Sequence, residues 1–126
     1  MASFQYGTKL TEFKTAQFSS GSTALSAAAT LYINPASTVT YINTIEIHNY
    51  GSVAGNIILL CTPAYGGNLI SVPLVSSQFM NATIVGNDTL WVEPQGPYIL
   101  TNQNDAIWAI CSVSTMNVQL RGSTYS

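Results

Sequence analysis

The stretch TVTYINTIEIH at residues 38–48 alternates in chemistry from one residue to the next. Val39, Tyr41, Ile45 and Ile47 fall on one face, and Thr38, Thr40, Thr44, Glu46 and His48 on the other, as the two-residue period of a strand requires. The pattern predicts a half-buried strand. Downstream, the turn cluster NYGSVAGN (49–56) leads into IILLCT (57–62), which is continuously apolar and therefore reads as a central strand. PAYGGN (63–68) turns the chain again. LISVPLV (69–75) reads as a further strand, at an edge or bulge because Pro73 has no N–H to donate to a ladder. Candidate strands follow at 81–85, 89–93, 97–100, 106–112 and 116–121.

Upstream, TALSAAAT (23–30) has helical composition, but Ser and Thr bracket it and it runs into the β-branched and aromatic LYI at 31–33, so it reads as strand or irregular. Short strands separated by Gly, Pro and Asn predict an all-β chain, an antiparallel sandwich or barrel. Residues 1–22 follow a different pattern. Phe4, Tyr6, Phe13 and Phe18 recur with no sustained period, and a Ser/Gly cluster closes the stretch like a hinge. The reading is an extended N-terminal arm over 1–22 and a β domain over 23–126. The four aromatics are the candidate assembly contacts, docking on a neighbour; an edge strand or wrap on the chain's own domain is the alternative for this segment.

Composition narrows the function. Charged residues are 6% of the 126-residue chain, against roughly a quarter in an average soluble domain. Ser, Thr, Asn and Gln number 44 against eight charged side chains, and the formal net charge is −2. Dispersed monomers normally carry many interspersed charges, and interface cores are depleted in Lys, Glu and Asp. Much of this surface is therefore expected to pack against other subunits. Three basic residues, Lys9, Lys14 and Arg121, make no patch for a phosphate backbone, so nucleic-acid binding is not expected. The longest apolar runs, such as Ile57–Cys61, fall far short of the ~20 residues that span a bilayer. MASFQYGTKL has neither a basic n-region nor an apolar h-region, so no secretory signal is expected.

Candidate chemistry reduces to a few residues. Cys61 and Cys111 each end an apolar run, which predicts buried, reduced thiols; a core disulfide is the alternative, and two sulfurs without a nearby His do not complete a zinc site. The sequons at Asn81 and Asn87 fit the glycosylation pattern, but in an Asn/Thr-rich chain without a signal peptide they read as chance. GNDTLWV (86–92) and QNDAIWA (103–109) both place Asn-Asp before an apolar residue and a Trp. The physical reading is turn punctuation: Asp accepts a backbone N–H two residues on, Asn or Gly supplies positive φ, and each Trp takes the face opposite Leu90 and Val92 or Ile107 and Ala109. A cation site on Asp88 and Asp105 would need six or more oxygens, and no dense Asp-x-Asp-x-Asp loop is present. His48, the sole histidine, faces solvent or a neighbouring subunit. If 38–48 and 56–61 form a hairpin, it lies on the order of 16 Å from Cys61, too far for a Cys–His dyad. No catalytic, metal or cofactor-binding residues are assigned.

INTIEIHNYGSVAGNIILLCTP (42–63), NDTLWVEPQGPYILTNQNDAIWAIC (87–111) and MNVQLRG (116–122) together resemble the small all-β virion proteins of tailed bacteriophages. The match covers about residues 30–121 and excludes the arm and the Cys pair. The resemblance implies a sandwich or jelly-roll module with a structural role and no catalytic residues. It implies a capsid cement or decoration subunit, in the virion and assembled in the host cytoplasm, with the major capsid protein or another virion protein as partner. A homo-oligomer is expected, a trimer by the resemblance alone. A tail or baseplate component is the runner-up. From another class comes a carbohydrate-binding module, for which Tyr65, Trp91, Tyr98 and Trp108 would supply stacking faces.

Overall fold

A computed structural model describes residues 8–14, 24–93 and 98–125. The described chain is all-β, as expected, and its strands are β1 (Thr8–Lys14), β2 (Ala29–Ile33), β3 (Val39–Asn49), β4 (Gly55–Thr62), β5 (Gln78–Ile84), β6 (Thr89–Val92), β7 (Tyr98–Leu100), β8 (Ala106–Cys111) and β9 (Met116–Tyr125). They make two antiparallel sheets. One has the order β1-β9-β3-β6, with β7 also on β3; the other has the order β2-β8-β4-β5. The pairings are nested: β4 with β5, β3 with β6 and β7, β2 with β8, β1 with β9. A chain paired in this way is one long hairpin rolled onto itself, and the roll is closed by two further ladders, β9 on β3 and β8 on β4.

The core fills the space between the sheets. Ile42, Ile45 and Ile47 of β3 and Met116, Val118 and Leu120 of β9 meet Ile57 and Leu59 of β4 and Ile107, Ala109 and Cys111 of β8. Each fully buried Ile or Leu contributes about 1.5–3 kcal/mol relative to exposure. A second apolar cluster lies on the other face of β4 and β8, where Leu60, Ala106, Trp108 and Ile110 are covered by Leu25, Ala28, Ile58, Leu69 and Ile70. This double coverage explains the uninterrupted apolar run of β4, which sits inside its sheet between β8 and β5 as the sequence reading expected. The helical-looking 23–30 segment resolves into a 3-10 turn at Leu25–Ala27 and then β2, in line with the strand-or-irregular reading.

Three expectations need correction. The single face drawn for Val39, Tyr41, Ile45 and Ile47 fails because the β3–β9 register shifts between Ile42 and Thr44. Thr40 and Ile42 point inward before the bulge, Ile45 and Ile47 after it, and Val39 and Tyr41 lie on the outer face. Residues 69–75 are not a strand. They belong to a loop that lays Leu69 and Ile70 over Trp108 and ends in a 3-10 turn at Val75–Ser77, because covering the second cluster outweighs strand propensity. Nor do β3 and β4 form a hairpin: they belong to opposite sheets, so the separation inferred for His48 and Cys61 has no basis in the fold.

Thr8–Lys14, within the segment read as an arm, is the edge strand β1, in register with Lys14 opposite Val118 and Thr8 opposite Thr124. Phe13 stands opposite Gln119, while Phe4, Tyr6 and Phe18 lie outside the described residues.

The bulge depends on one residue. Gly122 is the cross-strand partner of Ile42, and a Cβ placed there would overlap the Tyr41 carbonyl oxygen and approach Ile42 Cα to 3.1 Å. Both obstacles are backbone and cannot rotate away. Gly122→Ala is expected to cost about 2 kcal/mol or more in chemical denaturation, as forced overpacking does; an unchanged midpoint would show that the bulge does not need the close approach.

Candidate functional site

Two buried asparagines organise the two ends of the sandwich. At one end, Asn34 Nδ2 donates to the carbonyls of Thr38 (2.7 Å) and Asn102 (2.9 Å), and its Oδ1 accepts from Thr40 Oγ1 at 2.6 Å. Tyr32 Oη and Thr40 Oγ1 complete the network at 3.0 Å. At the other end, Asn49 Nδ2 donates to the carbonyls of Val53 (2.8 Å) and Ile84 (3.1 Å), while Oδ1 accepts from the Gly51 N–H (3.1 Å) and Thr115 Oγ1 (2.9 Å). Both residues are fully buried, so these bonds replace water that neither side chain can reach.

The Asn49 end carries the candidate surface. Its two turns, 50–54 and 85–88, are also joined by the Asn87 N–H donating to the Gly51 carbonyl at 2.9 Å. They project Tyr50, Val53 and Val85 into solvent, the two valines 66% and 63% exposed. Gly86 allows the approach, since a Cβ there would run into the Ser52 backbone. Beside these turns, on the outer face of the β1-β9-β3-β6 sheet, His48 Nδ1 lies 2.9 Å from Thr89 Oγ1. Two residues further on, Trp91 is 51% exposed and sits opposite Glu46. Arg121 lies over the Trp91 ring, its guanidinium carbon 5.1 Å from the centroid, and its Nη2 donates to Glu46 Oε2 and Gln119 Oε1, each at 3.3 Å. The Arg121–Glu46 pair is partly exposed and worth at most about 1 kcal/mol. Its effect is to neutralise the face around Trp91.

The other residues singled out in the sequence are dispersed. Asp105, nearly buried, accepts the N–H groups of Thr101 (3.2 Å) and Asn102 (2.9 Å) on Oδ2 and of Ala64 (2.9 Å) on Oδ1. Asp88 accepts the Thr89 N–H at 2.9 Å. Both aspartates act in turns, but the bond to an N–H two residues on is not the one formed: Asp105 caps backward and pins the 63–68 loop, and Asp88 bonds its immediate neighbour. The positive φ expected in these turns is at Asn87 (61°) and Asn104 (71°). The Trp faces are as expected; Trp108 is buried in the second cluster and its Nε1 donates to Thr62 Oγ1 at 2.8 Å. Tyr65 is exposed in the loop after β4, far from Trp91 in the topology, and Tyr98 begins β7. Tyr65, Trp91 and Trp108, three of the four aromatics suggested for sugar stacking, thus do not share one platform, and the Tyr98 side chain lies outside the described ones.

Cys61 and Cys111 are both free, with Cys111 fully buried. Burial pushes Cys61 up to about 11, with a smaller contribution from the Asp105 charge, and pushes Cys111 up to about 12. Neither thiol is a nucleophile at neutral pH. Among the described residues no group of three His, Cys, Asp or Glu side chains converges on a common point.

Asn34 and Asn49 were not distinguished by the sequence reading. The chain has ten asparagines, and what sets these two apart is burial at strand ends, which pattern alone does not show. Comparison with family models, curated proteins and solved structures gives no match.

Asn49 positions the apolar end, and its replacement tests this. Asn49→Ala removes the amide from a buried carbonyl, that of Ile84, and from the part-buried Val53 carbonyl, Gly51 N–H and Thr115 hydroxyl, with an expected loss of about 1–3 kcal/mol. Hydrogen exchange should rise first at Gly51 and Asn87; exchange unchanged in both turns would deny Asn49 this role.

Proposed function

We propose that this chain is a non-enzymatic structural protein of a tailed-phage particle, a cement or decoration subunit that stiffens the shell through contacts with the capsid and with its own copies. We assign it a jelly-roll topology. The nested pairing of one rolled hairpin, with sheet orders β1-β9-β3-β6 and β2-β8-β4-β5, supports that assignment, and jelly rolls recur in viral capsid and lectin domains. The resemblance of 42–63, 87–111 and 116–122 to small virion proteins supports the particle role, with the major capsid protein as partner and a trimer as the implied oligomer.

The observation that carries the reading is the Asn49 end. Tyr50, Val53 and Val85 crown it, and the charge-neutralised Trp91 face continues it. Apolar side chains set on fixed turns with an aromatic and an Arg beside them have the composition of an interface core. A free subunit with so few charges gains more by covering this end than by leaving it wet. A tail or baseplate subunit would use the same surface, and fractionating heads from tails separates the two locations.

Val53→Asp combined with Val85→Asp places two carboxylates on exposed turns, where the fold tolerates them, and in the middle of the proposed contact, where desolvation does not. Occupancy on purified particles, read by quantitative mass spectrometry, is expected to fall by about tenfold or more, with the denaturation midpoint within error of the parent. Full occupancy of the double variant would reject this end as the attachment surface.

A further inference from the structure

The opposite end of the same outer sheet face holds a cleft of about 410 Å³ lined by Val39, Tyr41, Asn43, Ser123 and Tyr125. It is a product of the bulge. Because the register shifts after Ile42, Tyr41 and Asn43 both lie outside the core, and β9 carries Ser123 opposite Tyr41 and Tyr125 opposite Val39. The Tyr41 and Tyr125 rings stand 5.4 Å apart at 86°, edge to face, so one ring fixes the other upright against the sheet.

None of the described lining residues is charged. The Tyr41 and Tyr125 hydroxyls, the Asn43 amide and the Ser123 hydroxyl make no hydrogen bond with other described groups, so among the described residues donors and acceptors surround the aromatic pair unpaired. Asn43 is exposed at the bulge, with its amide unused by the adjacent ladder.

We propose that this cleft binds a neutral sugar unit. A pyranose carries an apolar C–H face and a rim of hydroxyls on one ring, and the cleft offers a tyrosine ring next to a planar amide and three hydroxyls. Its volume falls at the lower end of the range for small-molecule sites, which suits one or two sugar rings. Among the described lining residues there is no cation to draw an anionic ligand. A proline-rich peptide needs parallel aromatic ridges spaced for a repeat of about 9 Å, and a perpendicular pair at 5.4 Å does not provide them. Tyr41 stands about 23 Å along β3 from His48, counting seven residues at the strand rise. A subunit attached by its Asn49 end therefore presents this cleft outward, but sugar binding does not depend on that attachment.

The test is a backbone amide chemical-shift titration of the full chain with glucose, galactose, mannose and N-acetylglucosamine, and with their disaccharides, alongside a polyproline peptide. Saturable shifts confined to 39–43 and 122–125 are expected with at least one sugar. Tyr41→Ala should weaken binding by about tenfold or more, the loss of one stacked ring, and Asn43→Ala severalfold, while Trp91→Ala leaves affinity unchanged. Spectral dispersion reports the fold of each variant, and Asn43→Ala and Tyr125→Phe carry the test if Tyr41→Ala unfolds. No saturable response to any of these sugars, a response only to the peptide, or an affinity equal in the Tyr41 or Asn43 variants and the parent would overturn the assignment.

Discussion

The pairing of β3 with β9 is the constraint on which the molecule depends. β9 runs between β1 and β3, so the last described strand closes the roll that the first described strand begins. Ten residues of β3 find partners on β9, and the inward side chains of the two strands build one wall of the core. The bulge after Ile42 sets the two halves of β3 to their faces. Without it, either Ile42 or the pair Ile45 and Ile47 would turn to solvent, since a one-residue slip exchanges the faces of a strand. Gly122 permits the close crossing that makes this possible. The same shift brings Tyr41 and Asn43 to the outer face, so one local irregularity serves both the core and the cleft.

The two ends of the roll are held by the same device. Asn34 and Asn49 are fully buried, each at a strand end, and each distributes its amide among backbone groups of separate turns. A buried amide with every partner in place makes one arrangement of turns much better than any other, because displacement leaves polar groups dry. Tyr50, Val53 and Val85 are consequently displayed on ordered turns. The entropy cost of ordering them is already met by the fold, which is what an attachment surface needs.

Much of this was legible in the residues, for identifiable reasons. IILLCT reads as a central strand because a strand covered on both faces has no polar side to show. GNDTLWV and QNDAIWA read as turn and strand because Asn at positive φ and Asp as a backbone acceptor act within a few residues. The bulge was not legible, since it is set by Gly122, remote in sequence from Ile42. LISVPLV has strand composition but covers Trp108, a choice made by the second cluster. Across residues 1–22 the aromatics have no sustained period, only Phe13 falls within β1, and that strand is defined by its register on β9. Asn49 looks like any other asparagine until the turns around it close.

Scarcity of charge links fold to function in this account. The Asn49 end exposes Tyr50, Val53 and Val85 on ordered turns and joins them to an exposed Trp91 beside the Arg121–Glu46 pair. The central claim is that this end lies against the particle. Hydroxyl-radical footprinting of the free subunit and of particles carrying it tests the claim directly, with Tyr50 and Trp91 as the reporting side chains and Tyr65, at the other end, as the internal reference. The account predicts that Tyr50 and Trp91 are protected on the particle while Tyr65 is labelled as in the free subunit; equal labelling of Tyr50 and Trp91 in both states would contradict it.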